Sequence, residues 1–332
     1  MLRALVVVAA TVVLLGGFVA LAAHLYSMPG PLQDAKVIVV PKASIDQIAD
    51  LLGQEGVVSN PTTLRLAALM TRRQGPLRAA EFSFPKGASL RDVLTVLRFG
   101  KPVQHRVTFP EGVTALQIMA LLDKATALDG SVAPPDEGTI LPETYVYERG
   151  ATRASILERG QKAMDRALET AWKNRTGDLA VLSGPRDALI LASIVERETK
   201  LPEERPRIAA VFLNRLRRGM KLQSDPTVVF AASNHLGVLD HGLTRAELDR
   251  DDPYNTYKVN GLPPGPIAMP GAAALKAVTQ PWPTDELYFV ADGNGGHVFA
   301  KTEADHLKNV AKWREFERQR NLARQPAAPV AN

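Results

Sequence analysis

Two glutamates at the end of a strongly apolar segment are the residues most suited to chemistry. Glu196 and Glu198 close the sequence SGPRDALILASIVERETK (183–200). Ser183 can cap a helix and Pro185 suits its first turn, so we predict a helix over this segment. The apolar centre predicts burial. Burial disfavours the charged carboxylate and raises its pKa, and a carboxylic acid protonated near neutral pH can act as a general acid.

Helical periodicity does not choose between the two glutamates. Glu196 shares its helix face with the small residue Ala192, which leaves room for a substrate, whereas Glu198 shares its face with larger apolar residues. The alternative interpretation is that both are solvated charges paired with Arg197 or Lys200 at the end of the helix. The pattern alone leaves these possibilities open.

Polar residues in apolar surroundings follow further along the chain. We predict that the segment 211–230 is a helix ending near Gly219, followed by a strand or loop that presents Gln223 and Asp225. A loop at 252–266 combines aromatic and amide side chains with a rigid Pro-Pro-Gly-Pro stretch. Such side chains suit sugar recognition, by stacking on ring faces and bonding to hydroxyl groups. The alternative is a purely structural connection.

Several classes of protein are excluded by what the sequence lacks. It contains no cysteine, which excludes thiol nucleophiles, thiolate zinc sites and iron–sulfur clusters. None of its six histidines lies in an HExxH arrangement, and no phosphate-binding loop is present. We therefore expect neither a metal nor a cofactor. The net charge of +5 is spread without long basic runs, and aromatic residues make up only 6%, so we expect no nucleic-acid partner.

The first segment predicts export across a membrane. Residues 4–23 are uncharged and apolar, and a helix of this length spans about 30 Å, the thickness of a hydrocarbon core. Arg3 and the amino terminus favour a cytoplasmic N-terminus (residues 1–3). A cleaved signal peptide ending near Ala22 is the rival interpretation, although the apolar run is longer than a usual signal core.

The remainder predicts an α+β protein with a small and a larger domain. After a linker (24–36), three segments at 37–52, 82–97 and 107–122 share a strand, a proline turn and an amphipathic helix. Units of this kind occur in glycan-binding modules and also as ordinary packing units. We predict further helices at 152–175, 203–219 and 244–249, a hairpin at 286–302 turning at Asp292–Gly296, and a disordered tail at 321–332.

Four motifs in order resemble the YceG-like (MltG) endolytic murein transglycosylases. They are ASIVERET (192–199), VFLNRLRRGMKLQSDPTVVF (211–230), YNTYKVNGLPPGPIAMPG (254–271) and LYFVADGNGGHVFAKT (287–302). The resemblance implies a LysM-like α/β region at 37–125 and a mixed α+β catalytic domain at 126–320. It also implies a single-pass protein of the bacterial plasma membrane with its catalytic domain outside, where it works with peptidoglycan synthases.

The same resemblance implies a lyase that cuts peptidoglycan strands between N-acetylmuramic acid and N-acetylglucosamine and leaves 1,6-anhydro-muramyl ends. It assigns the role of general acid and base to Glu196. By analogy the cleft residues would be Gln223, Asp225, Tyr254, Asn255 and Tyr257, with Asp225 a candidate for orienting Glu196. It gives no role to Glu143 or His306, where the chain departs from the family pattern. A hypothesis from another class is a membrane-anchored scaffold that binds peptidoglycan without cutting it.

Overall fold

The computed structural model describes the backbone of residues 2–324 and the side chains of residues 5–320. The chain divides into two compact units, one running to His105 and including Val146–Gly150, the other formed by Arg106–Tyr145 and the residues from Ala151 onward. The first unit contains α1 (Leu2–Ser27), β1 (Lys36–Val40), α2 (Ile45–Gln54), α3 (Pro61–Met70), β2 (Ala80–Phe84), α4 (Leu90–Phe99) and the start of β3 (Gln104–Thr108).

The second unit is built mainly from helices. Its elements are the end of β3, α5 (Ala115–Lys124), β4 (Leu128–Asp129), the first two residues of β5 (Thr144–Glu148), β6 (Ala151–Thr152), α6 (Arg153–Lys173), α7 (Pro185–Glu198), α8 (Arg205–Arg217), α9 (Asp225–Ala232), α10 (Arg245–Asp249), α11 (Ala272–Thr279), β7 (Tyr288–Ala291), β8 (His297–Ala300) and α12 (Glu303–Arg324). The mixture of helices and strands agrees with the predicted α+β class.

Within the described residues the strands form four two-stranded sheets, which pair β1 with β2, β3 with β5, β4 with β6 and β7 with β8. β1 and β2 are antiparallel, with Lys36 opposite Phe84. β7 and β8 form the predicted hairpin. The carboxylate of Asp292 holds its turn by accepting hydrogen bonds from the backbone N–H groups of Asn294 (2.7 Å) and Gly296 (3.1 Å).

All three predicted strand, proline-turn and helix units are present. Each helix starts with a capping box, in which the N-cap hydroxyl and the third helical residue bond to each other's backbone N–H groups. These pairs are Ser44 with Gln47, Ser89 with Asp92 and Thr114 with Gln117. The helix of the third unit lies in the second compact unit, so the compact units divide the chain at a different place from the predicted domains.

One hydrophobic core fills the first unit. The inward residues of β2, Phe82 and Phe84, are fully buried against Leu52 of α2, Leu64 of α3 and Leu97 of α4. Fully burying such a side chain contributes about 1.5–3 kcal/mol. The helix α3, which the sequence analysis did not predict, starts with Pro61 after an Asn60 cap, whose side chain accepts a bond of 2.8 Å from Thr62 N–H.

The core of the second unit forms around α7, which packs against α8 and α11. Every residue of α7 from Ala188 to Glu196 is buried. Pro185 occupies the first turn as predicted, but Ser183 does not cap the helix. The N-cap is Gly184, and the Ser183 N–H donates instead to the Asp187 carboxylate at 2.7 Å. A helix buried along its length gives its C-terminal end a fixed position.

Three sequence expectations are corrected. The part of 211–230 predicted as strand or loop is helical from Asp225, because Pro226 occupies a helical first turn, where its missing N–H costs no hydrogen bond. The N-terminal helix continues past residue 23 to Ser27. Finally, α12 extends to Arg324, four residues into the predicted tail, and residues 325–332 lie outside the described part of the chain.

Candidate active site

The two glutamates of α7 line different cavities. Glu196 belongs to a cavity of about 430 Å³ whose walls include Glu111, Arg197 and Arg205. Glu198 belongs to a cavity of about 450 Å³ formed by the end of α7, the chain after α8, Tyr257, the β7–β8 hairpin and α12. Both cavities lie within the second unit. The choice that periodicity left open is therefore a choice between two sites.

Glu196 is held in a buried ion pair. Its side chain is 3% exposed and that of Arg205 is 9% exposed, with Arg205 Nη2 2.8 Å from Glu196 Oε1. The other oxygen accepts a 2.8 Å hydrogen bond from the Gly271 N–H. Arg205 Nη2 also lies 3.3 Å from Glu111 Oε2. Burial raises the pKa of Glu196, while the Gly271 N–H and Arg205 oppose that rise. Both carboxylate oxygens are thus occupied by protein groups.

Glu198 has the properties of a proton donor. Its residue is partly exposed, and its Oε2 accepts a 2.8 Å hydrogen bond from the Ser224 hydroxyl. Desolvation raises the pKa of Glu198 to about 7, and the nearby charge of Asp225 adds to the rise, whereas Ser224, His297 and Arg215 oppose it. A carboxyl group with this pKa is substantially protonated at neutral pH and becomes a base after losing its proton.

Three predicted cleft residues join Glu198 in its cavity. These are Gln223, Asp225 and Tyr257. The Tyr257 hydroxyl donates a 2.6 Å hydrogen bond to Asp225 Oδ1. Burial and this carboxylate raise the pKa of Tyr257, so its hydroxyl stays protonated. Besides burial, the negative charge of Asp225 raises the pKa of Glu198. The resemblance had suggested that Asp225 orients Glu196, whose pKa is affected instead by the charges of Arg205 and Glu111.

The backbone at the cavity is held in a strained conformation by a buried hydroxyl network. Gln223 has φ of 52°, a left-handed value that costs an L-residue roughly 1–2 kcal/mol. Its N–H donates to the Thr256 carbonyl at 3.1 Å. The Thr256 hydroxyl accepts a bond of 2.9 Å from Ser224 N–H and lies 2.9 Å from the Thr227 hydroxyl. Strain maintained by its surroundings in this way is frequent at functional sites.

A buried arginine, which the sequence analysis missed, supports the same cavity. Arg215 of α8 donates from Nε to the Leu287 carbonyl at 2.7 Å and from Nη1 to the Leu222 carbonyl at 2.8 Å. Nη1 also reaches Gln223 Oε1 at 3.3 Å. Arg215 therefore joins the hairpin to the chain before Asp225. In the sequence, only its position within the motif at 211–230 could have indicated this role for Arg215. Buried arginines are rare, and residue propensity does not predict them.

Two histidines complete the wall. His297 places Nδ1 2.7 Å from Glu204 Oε2, and its backbone N–H donates to Glu204 Oε1 at 2.7 Å. His306, to which no role was given, stacks on Tyr288 with ring centroids 5.0 Å apart. Burial lowers the pKa of His306, which favours its neutral form.

The other two predicted cleft residues do not line this cavity. Tyr254 packs on Phe230 with ring centroids 5.0 Å apart. Asn255 is 1% exposed and uses its side chain to hold the local backbone, donating to the carbonyls of Leu248 (3.0 Å) and Arg250 (2.8 Å). Among the described side chains, those of residues 5–320, no group of three or more histidine, aspartate or glutamate residues is placed to bind a metal ion.

Comparison with known proteins identifies the family. The model of the YceG-like family matches residues 37–312, most of the chain, and the chain belongs to that family. It is 29% identical over 303 residues to the endolytic murein transglycosylase of Bacillus subtilis strain 168, with 82% of each protein covered. It is also 29% identical to the endolytic murein transglycosylase of Streptococcus pneumoniae strain D39, covering 82% of this chain and 57% of that protein.

A solved structure is similar over most of the chain. The crystal structure of a YceG-like protein from Listeria monocytogenes has 28% sequence identity and a TM-score of 0.51, covering 83% of this chain and 99% of that one. The similarity to the YceG-like family therefore covers most of the chain and is not limited to the four motifs.

Proposed function

We propose that this protein is an endolytic lytic transglycosylase of peptidoglycan. It cleaves the bond between N-acetylmuramic acid and N-acetylglucosamine within nascent glycan strands and leaves 1,6-anhydro-muramyl ends, which terminates strand elongation. The observation that carries the proposal is a cavity with one glutamate, Glu198, whose pKa is raised to about 7. Membership of the YceG-like family and the names of the relatives support it.

We place the acid and base role on Glu198 rather than on Glu196, to which the resemblance assigned it. An acid catalyst needs a proton and access to the substrate. The carboxylate of Glu196 is almost completely enclosed and is bonded to a guanidinium and to a backbone N–H. Glu198 is partly exposed, and Gln223, Asp225 and Tyr257 accompany it. Variants of the two glutamates provide the test.

One carboxyl group suffices because no water takes part. Ordinary glycosidases use two carboxylates, one of which acts as base or nucleophile. In the proposed reaction Glu198 donates its proton to the glycosidic oxygen as the bond from that oxygen to C1 of the muramyl sugar breaks. The substrate's N-acetyl group supports the positive charge at C1. The C6 hydroxyl of the same sugar then bonds to C1 and returns its proton to Glu198, which regenerates the acid.

The neighbouring residues position the strand and tune the acid. Gln223 and Asp225 are exposed at the cavity and offer an amide and a carboxylate to sugar hydroxyls. Burial raises the pKa of Glu198 to about 7, and the negative charge of Asp225 adds to this rise. Tyr254 and Asn255, also expected in the cleft, have a structural role in this proposal, because they hold the segment that carries Tyr257.

The location is part of the proposal. Among the described residues one helix, Leu5–Ser27, is long and apolar enough to cross a membrane. We propose that it anchors the protein in the bacterial plasma membrane with residues 1–3 in the cytoplasm, a LysM-like region at 37–125 and the catalytic domain at 126–320 outside. Peptidoglycan synthases are the proposed partners, since cleavage acts on the strands that they produce.

Product chemistry tests the function. Purified protein is incubated with glycan strands in H₂¹⁸O, and the fragments are analysed by mass spectrometry. The proposal expects internal cleavage, anhydro-muramyl ends and no ¹⁸O in the new ends. Reducing ends carrying ¹⁸O would identify a hydrolase instead. Strand binding without new ends would support the scaffold hypothesis, which the named relatives do not favour.

A further inference from the structure

One face of α3 exposes apolar side chains that the core of the first unit does not use. Leu66, Leu69 and Met70 are 56%, 60% and 77% exposed, although the opposite face of the helix buries Leu64 and Ala68. The spacing of three and four residues puts the exposed side chains on one face. We call Leu66, Leu69 and Met70 the exposed α3 face. Exposed leucines clustered in this way mark an interaction surface.

The segment that carries this face is basic. Residues 56–80 contain four arginines, Arg65, Arg72, Arg73 and Arg78, and no lysine, aspartate or glutamate. Arg65 is paired with Asp46 at 3.1 Å and with Asp50, both on α2, so it adds no free positive charge. Arg72 and Arg73 are exposed in a short 3₁₀ turn directly after α3. The face therefore combines aliphatic side chains with a basic edge.

The basic turn is fixed relative to the helix. The buried Arg98 of α4 donates to the Gly75 carbonyl at 3.0 Å, to the Thr71 hydroxyl at 3.0 Å and to Gln74 Oε1 at 3.1 Å. One buried guanidinium thus ties together the end of α3 and the following turn. The apolar face and the two exposed arginines form one preorganised surface.

This surface lies near the end of the apolar N-terminal helix. A small cavity of about 240 Å³ is lined by Leu25 and Met28 at the end of α1 and by Asn60 and Thr63 at the start of α3. The ten residues of α3 extend about 15 Å. The exposed α3 face therefore lies within one helix length, about 15 Å, of the cavity at which α1 ends.

We propose that the exposed α3 face binds the anionic phospholipid surface of the membrane that holds α1. This inference rests on the proposed membrane anchor. Leu66, Leu69 and Met70 enter the headgroup region, and Arg72 and Arg73 contact lipid phosphates. Aliphatic side chains beside arginines are the composition of interfacial helices, and each arginine near an anionic surface contributes roughly fivefold in binding. A second copy of the chain is a poorer occupant, because it brings the same positive charge.

The absence of cysteine allows a direct test with single-cysteine variants of the full chain. An environment-sensitive fluorophore is attached to M70C, with L116C, an exposed apolar position in the second unit, as control. The labelled proteins are placed in nanodiscs of phosphatidylcholine and phosphatidylglycerol containing shallow spin-labelled lipid. We expect blue-shifted, strongly quenched emission at position 70 and unquenched emission at 116. Combining M70C with R72E and R73E, or removing phosphatidylglycerol, is expected to reduce quenching at 70 severalfold.

A label at V13C in α1 separates this inference from the anchor on which it rests. For this label the nanodiscs contain lipid spin-labelled deep in the acyl chain, because residue 13 lies near the middle of the span. Blue-shifted, quenched emission at 13 without quenching at 70 overturns the binding of the exposed α3 face alone. Lack of the blue shift and of deep quenching at 13 overturns the anchor as well. Emission at 70 that shifts with protein concentration in detergent, and not with lipid, would show that a second copy covers the face and would also overturn the proposal.

Discussion

Glu196 and Glu198 are separated by one residue on α7, yet one carboxylate is enclosed by Arg205 and the Gly271 N–H while the other lies in a cavity with Asp225 and Tyr257. A step of two residues rotates a side chain by about 200° around a helix, since 3.6 residues make a turn. We therefore propose different tasks for the two groups. In this proposal Glu196 stabilises the fold through its buried ion pair, and Glu198, which lines the cavity and has a pKa raised to about 7, transfers the proton.

The glutamate pair gives the first prediction. We expect E198Q to lose about 10²–10⁴-fold in the rate of forming anhydro-muramyl ends, because an amide cannot donate and recover the proton. Glycan binding by the same variant should remain. The matched E196Q variant, once folded, should retain a rate within about tenfold of the parent. Mass spectrometry of strand digests measures both, and the opposite ranking would return the catalytic role to Glu196.

The pH dependence should follow the pKa of Glu198. Since the reaction starts from the protonated acid, the rate should fall as pH rises through about 7. Asp225 raises this pKa, so D225N should move the fall to lower pH. The Ser224 hydrogen bond lowers it, so S224A should move the fall to higher pH. Rates of strand cleavage from pH 4 to 9 test the two opposite shifts; identical profiles in all three proteins would contradict the assignment.

Arg205 should matter for stability more than any exposed ion pair. R205M leaves Glu196 buried without its partner, which we expect to cost about 3–5 kcal/mol in the free energy of unfolding. Denaturant unfolding of the parent and of R205M measures this difference in the free energy of unfolding. As a control, K162M removes an exposed pair with Glu158, both side chains being 62% exposed, and should change stability by about 0.5 kcal/mol or less.

A double variant keeps this test sharp if R205M does not fold. Adding E196Q to R205M removes the unpaired charge and should recover part of the lost stability. If R205M unfolds no more readily than K162M, the buried pair is not a structural element.

Because the backbone of Gln223 is strained, replacing this residue by glycine should have opposite effects on stability and on activity. Glycine adopts positive φ without steric cost, so Q223G should raise the free energy of unfolding by about 0.5–1 kcal/mol and reduce cleavage, because the amide is lost from the cavity. Ala127 has φ of 63° and is not among the residues that line the cavity. Its A127G variant should gain similar stability at unchanged activity. Loss of stability in Q223G would show that its side chain contributes more than its backbone costs.

The local elements were predictable where short-range chemistry determines them. Strand alternation, a proline turn and a capping box lie within each unit around Pro41, Pro85 and Pro110, so pattern alone located them. The helix that starts at Asp225 was predicted as strand or loop, because the short apolar run after Pro226 suits a strand as well as a buried helix. The helix α12 escaped prediction because its sequence is polar and charged on every side, with few apolar positions for a periodicity to reveal.

The site was predictable only in part, because it depends on contacts between distant segments. Motifs identified Gln223, Asp225 and Tyr257, which the structure brings together. The motif resemblance assigned the acid and base role to Glu196, whereas our proposal places it on Glu198. The partners that distinguish the two carboxylates lie far away in sequence: Gly271 bonds to Glu196, and Ser224 bonds to Glu198. The burial of Asn255 could not be predicted either, because the loop that contains it has a composition that suits sugar binding.

The walls of the Glu198 cavity come from five separate stretches, ending with α12. The Thr256 hydroxyl connects two of them, because it accepts a hydrogen bond from the Ser224 N–H and lies 2.9 Å from the Thr227 hydroxyl. If the protein acts outside the membrane as we propose, its site is complete only after α12 has packed against the other four stretches. We therefore expect that a partly folded copy cannot cut glycan strands.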